Sequence, residues 1–110
     1  MAVKRVHVVG SGNFVTTELI APGDSRRVRS ILLANAEEAA DAGVQVSLFL
    51  ETPTVSGKSA ADQFYILRNV NIPPGASLLL DNPNILQFSA STQGLYITCL
   101  NGNEVDVTIN

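Results

Sequence analysis

LYITCLNGNEVDVTIN, residues 95–110, reads as two β-strands around an Asn-Gly turn. In its second half Val105, Val107 and Ile109 alternate with Glu104, Asp106 and Thr108, the period-2 signature of a strand with one dry and one wet face. In its first half Leu95, Ile97 and Cys99 alternate with Tyr96, Thr98 and Leu100. Asn101-Gly102 before an alternating run is a strong local hairpin signal, so the two halves are expected to pair side by side.

The same alternation recurs upstream. Val3–Val9, Phe14–Ile20, Arg26–Ala34, VQVSLFLE (44–51), QFYILRNV (63–70), ASLLLD (76–81) and ILQFSAS (85–91) all read as strands. Between them stand Gly10-Ser11-Gly12, Pro22-Gly23-Asp24, the IPPG segment at 72–75 and Asn82-Pro83-Asn84. Each of these combines residues that preset or free a backbone dihedral. AEEAADAG (36–43) is the one good helix-forming stretch and is too short to be stable alone, so it reads as a loop with at most one helical turn. TPTVSGKSAAD (52–62) reads as an exposed loop. Eight or nine short strands at this spacing predict an all-β chain, an antiparallel β-sandwich or jelly roll of about eight strands.

The 110 residues suit one domain spanning 1–110. With 45% hydrophobic and 15% charged residues the chain is not a disordered tail. There is no Trp and there are six aromatics, so the core is expected to be aliphatic. No apolar run is long enough for a membrane-spanning helix. The N-terminal MAVKRVHVVG lacks an apolar run followed by a cleavage site, so secretion is not expected. The net charge of −3 is unevenly spread. Residues 1–35 hold Lys4, Arg5, Arg26, Arg27 and Arg29 against Glu18 and Asp24, and residues 36–110 are acidic. An acidic chain with seven cations does not fit nucleic-acid binding. Arg26, Arg27 and Arg29 are candidates for docking to an acidic partner surface, since arginine suits bidentate contact with carboxylates.

Residues that carry chemistry are sparse. The one cysteine, Cys99, lies in an apolar run and reads as a buried small hydrophobe. The one histidine, His7, sits between Val6 and Val8 and reads as a half-exposed surface imidazole. Gly57-Lys58-Ser59 lacks the glycine that a phosphate-binding loop needs five residues earlier, where Thr52 stands. Glu37 with Glu38, and Glu104 with Asp106, are paired carboxylates with no sign of a cleft around them. The expectation is a chain that is not an enzyme and uses no metal or cofactor.

VRSILLAN (28–35), VQVSLFLE (44–51), YILRNVNIPPGASLLLDNPNILQFSAS (65–91) and LYITCLNGNEVDVTIN (95–110) together carry a resemblance. Their order of strands and turns resembles the small β-sandwich virion proteins of tailed bacteriophages, particularly those of marine and cyanobacterial phages. It covers residues 14–110, and the acidic 36–43 loop and long 52–62 loop depart from the compact pattern. The resemblance implies a structural role as a capsid decoration (cement) protein or a neck, tail or fibre-attachment protein. It implies synthesis in the host cytoplasm, residence in the virion, and other virion proteins as partners. The alternative is a small carbohydrate- or receptor-binding module, for which Tyr65 and Tyr96 are the tyrosines available.

Several strands are apolar on both faces, where a sandwich strand should be wet on one. With the inner set assigned to the core, Leu33, Phe49, Tyr65, Leu67, Leu79, Tyr96 and Leu100 are expected on the outer surface. A patch of that size points to a homo-oligomer or to a tight contact with a larger virion protein.

Overall fold

Strands form where β-branched and leucine residues alternate: β1 (Lys4–Val9), β2 (Thr17–Ile20), β3 (Ile31–Asn35), β4 (Val44–Thr52), β5 (Asp62–Ile72), β6 (Ser77–Leu80), β7 (Gly94–Cys99) and β8 (Glu104–Ile109). The computed structural model describes residues 3–10, 16–22, 28–37, 43–52, 62–82, 86, 93–100 and 103–110. All strand pairs are antiparallel. Four of them nest, β1 with β8, β2 with β7, β3 with β6 and β4 with β5, as in one long hairpin whose tip lies between β4 and β5. Two more pairs, β3 with β8 and β4 with β7, roll that ribbon up. The result is two four-stranded sheets, β1-β8-β3-β6 (sheet I) and β2-β7-β4-β5 (sheet II). This winding is the jelly-roll form of the β-sandwich.

The core between the sheets is aliphatic. Ile31, Leu33, Val105, Val107 and Ile109 from sheet I meet Leu19, Ile20, Val44, Val46, Leu48, Leu95 and Ile97 from sheet II, with the Cys99 thiol among them. Burial raises the Cys99 thiol pKa, with Glu37 adding to the effect, so the group stays protonated as a small hydrophobe.

The hairpin expected at 95–110 is corrected. The amide of Asn103 donates to the carbonyl of Leu100 at 2.9 Å, while Asn101 and Gly102 lie outside the described residues. The flanking strands part, β7 into sheet II and β8 into sheet I. Their apolar sides meet across the core instead of lying side by side. The end of β1 closes this corner so tightly that a Cβ on Gly10 would stand 2.1 Å from the Leu100 carbonyl oxygen. The IPPG turn forms as read: Gly75 has φ 71° and the Ala76 amide donates to Pro73 O at 3.1 Å. A proline followed by a positive-φ glycine is the residue pattern of a type II turn.

The strand expected over 26–34 starts later. Val28 is buried, but the amides of Arg29 and Ser30 both donate to the carbonyl of Asn110, and regular pairing begins only at Ile31. No strand is seen at Leu86, the one described residue of the expected 85–91 strand. Most of the 36–43 and 52–62 loops lies outside the described residues. Among the described residues no helix is long and apolar enough to cross a membrane.

Candidate functional site

The outer faces of the two sheets hold most of the unusual side chains. On sheet II, strand register lines up Glu18, Tyr96, Phe49 and Tyr65 in one row across all four strands. The Phe49 ring lies 5.9 Å from Tyr96, nearly parallel at 24°, and 5.4 Å from Tyr65, tilted at 48°. Held between the two tyrosines, Phe49 is only 3% exposed although it belongs to the outer face. The Tyr96 hydroxyl donates to Glu18 Oε2 at 3.4 Å. Burial raises the pKa of this phenol, and Glu18 and Glu51 raise it further by disfavouring a phenolate beside them. Gln63 Nε2 donates to Glu51 Oε1 at 3.2 Å, beside the row.

Two irregularities in β5 build the end of this row. Register places Leu48 opposite Leu67 but Phe49 opposite Tyr65, so Ile66 is an extra residue; a second shift follows before Val70. Bulges of this kind change which face the next side chain takes. Asn69 sits at φ 51°, a left-handed conformation that asparagine tolerates better than most residues. Its amide donates to the hydroxyl of Ser47 at 2.9 Å, and that hydroxyl donates to Asn69 Oδ1 at 3.3 Å. Between the two shifts Arg68 comes to lie over Tyr65, its guanidinium carbon 5.1 Å from the ring centroid. Strict alternation would put residues 65 and 68 on opposite faces, so sequence reasoning missed this cation–π pair.

On sheet I the corresponding row is Arg5, Thr108, Leu32 and Leu79. Leu79 is 56% exposed and rims a shallow apolar recess with Leu80, Asp81, Asn82 and Leu86. The neighbouring row is polar. His7 faces Asp106 through Nδ1 at 2.5 Å and Glu104 through Nε2 at 3.2 Å. Only the imidazolium can donate at both nitrogens, and the two carboxylates, Asp106 foremost, raise the His7 pKa above its ordinary 6.5. Among the described residues no group of three or more His, Cys, Asp and Glu is placed to hold a metal ion.

The expected outer set therefore divides. Phe49, Tyr65 and Tyr96 form one row, Leu79 lies on the opposite face of the sandwich, and Leu100, exposed, sits past the end of β7. Two residues are corrected. Leu33 is fully buried between Val107 and Leu78, because the irregular backbone at Arg29–Ser30 shifts the phase of β3 and turns Leu32 outward instead. Leu67 packs against the core opposite Leu48, because the extra residue at Ile66 separates it from the face of Tyr65. Of the three arginines, Arg29 is exposed; Arg26 and Arg27 lie outside the described residues. Phe64, which is exposed, Leu32 and Arg68 are surface residues that sequence reasoning passed over, and Arg5 and Glu18 entered it only as charges.

No protein-family model matches this chain, and no curated protein or solved structure matches it significantly. Its class is defined by the winding of its strands alone, a jelly-roll β-sandwich.

Proposed function

We propose that this chain is a structural, non-enzymatic component of a tailed-phage virion, a capsid decoration (cement) protein or a neck, tail or fibre-attachment protein. The observation that carries the reading is the pair of outer faces, with Tyr96, Phe49 and Tyr65 in a row with Glu18 on sheet II, and Leu32 and Leu79 in a row with Thr108 and Arg5 on sheet I. A surface of that kind serves attachment better than solubility. The jelly roll supports the reading by analogy, since viral capsid domains use that frame, as lectins also do. The resemblance of segments 28–35, 44–51, 65–91 and 95–110 to virion proteins points to the particle. Its partners are then other virion proteins and further copies of itself, with no cofactor, and it is made in the host cytoplasm. Quantitative mass spectrometry of purified particles should find the chain at a constant ratio to the major capsid or tail protein. A ratio that varies between preparations, or loss of the chain on gradient purification, overturns the reading.

One observation favours a second reading, a carbohydrate- or receptor-binding module. Tyr65 and Tyr96, distant in sequence, share a face with the polar groups of Glu18, Glu51, Gln63 and Arg68. Sugar recognition combines ring stacking with such groups. Against it, the middle ring of the row, Phe49, is buried between the tyrosines and presents no open stacking surface. Saturable glycan binding that is lost in Tyr65→Ser would favour this second reading.

A further inference from the structure

The two outer rows have the same order of chemistry. Across sheet II the row runs from a carboxylate, Glu18 on β2, through Tyr96 and Phe49 to Tyr65 on β5. Across sheet I it runs from a guanidinium, Arg5 on β1, through Thr108 and Leu32 to Leu79 on β6. Each row crosses three strand spacings, roughly 14 Å. Both begin at the same edge of the sandwich, because Lys4 Nζ of β1 donates to the Leu19 carbonyl of β2 at 2.5 Å. Both finish at the same opposite edge, because β5 passes into β6 through the short 73–76 turn. They also lie toward the same end of the strands. Gly10, Asn35, Ile72, Ala76 and Cys99 gather at one end, and both rows stand toward the other, where Lys4 and Leu19 meet.

A copy moved along the sandwich normal without being turned over therefore sets its Arg5 above the Glu18 of the copy below. The same displacement sets Leu32 and Leu79 above the aromatic row. We propose that copies of this chain stack head to tail, the outer face of sheet I on one copy seated on the outer face of sheet II of the next. Charge complementarity selects this occupant. A guanidinium meets a carboxylate at one edge, and aliphatic side chains meet rings at the other. A two-fold pairing of sheet II faces would bring Glu18 toward the Tyr65–Arg68 end of its partner, but it would leave Arg5 and Leu79 on sheet I uncovered. Leu79 and Tyr65, 56% and 46% exposed in the single chain, are the apolar contacts the stack covers. The chain measures 46 × 33 × 20 Å, so its broad face exceeds the ~800 Å² per partner of a standard interface. Such a contact joins two different surfaces, so it continues into a ring or a filament rather than stopping at a dimer.

This inference goes beyond the virion reading and does not depend on it, since it is tested with the purified chain alone. Sedimentation velocity of the full chain over a concentration range should show species larger than a dimer, weakened by salt. Arg5→Glu and Glu18→Arg should each weaken association about tenfold or more, because each replaces an attraction with a repulsion. The double variant Arg5→Glu/Glu18→Arg should restore it, as should mixing the two single variants. Within one chain residues 5 and 18 lie on opposite faces, so restoration can come only from contact between copies. Leu79→Ser should weaken association while leaving the thermal transition nearly unchanged. A wild type that stays monomeric to millimolar concentration overturns the proposal. So does association that stops at a dimer, or that the charge swaps leave unchanged. Failure here leaves the particle stoichiometry test standing, and failure of that test leaves the stacking.

Discussion

Replacing Leu33 and Leu79 with alanine, one at a time, tests the phase of β3 and β6. Leu33 is fully buried, flanked by Val107 on β8 and Leu78 on β6. Leu33→Ala removes three carbons from that core, a transfer loss of about 2.4 kcal/mol at ~0.8 kcal/mol per methylene. The cavity left behind adds to this, for a total of about 3–4 kcal/mol. Leu79 is 56% exposed, so less than half of the transfer loss applies and no closed cavity forms. Leu79→Ala should cost about 1 kcal/mol or less. Urea unfolding followed by far-UV circular dichroism, at a concentration where the chain is monomeric, reads both values. With a slope near ~1.5 kcal/mol/M, the midpoint should fall by about 2 M for Leu33→Ala and by well under 1 M for Leu79→Ala. Leu67→Ala, packed against the core but partly open, should fall between them. Equal losses at 33 and 79, or a larger loss at 79, would refute the assignment of Leu33 to the core face and Leu79 to the outer face.

Two further outcomes follow from the polar features. The folded-state pKa of His7 is raised above 6.5 by Asp106 and Glu104, so its contribution to stability is fully present below about pH 6.5 and is lost as pH rises through the folded value. His7→Gln should flatten the fall in melting temperature between pH 6 and pH 8; a slope matching the wild type would show that the imidazolium pair contributes nothing to folding. At the second β5 irregularity, Asn69→Ala should cost about 1 kcal/mol because alanine resists positive φ, while Asn69→Gly should cost less. Equal effects of alanine and glycine would place the strain elsewhere.

Much of the fold was legible in the chain before its structure. Period-2 alternation in 44–51 and 104–109 and the proline–glycine turn at 73–76 act locally, so each strand and turn announces itself within a few residues. The aliphatic character of the core follows from composition in the same way. The separate surfaces were partly legible too: Tyr65, Leu79 and Tyr96 were read as outward and lie on outer faces, whereas Phe49, also read as surface, is buried between the two tyrosines.

What only the tertiary structure decided is pairing and phase. The Asn101-Gly102 turn signal is local and does not specify whether the next strand lies beside β7 or crosses to the other sheet; the tertiary structure sends β8 to sheet I. Crossing wins because it lets Leu95, Ile97 and Cys99 face Val105, Val107 and Ile109 through a shared core. The phase of β3 depends on a distant carbonyl, that of Asn110, taking the amides of Arg29 and Ser30. That of β5 depends on the Ser47 hydroxyl, which holds Asn69 at positive φ, and on the extra residue at Ile66. One slipped residue moves every following side chain to the other face. For that reason Leu33 and Leu67 read as surface residues and fold as core. The rows that join Glu18 to Tyr65 and Arg5 to Leu79 each draw on four strands far apart in the chain, and long-range register alone brings them together.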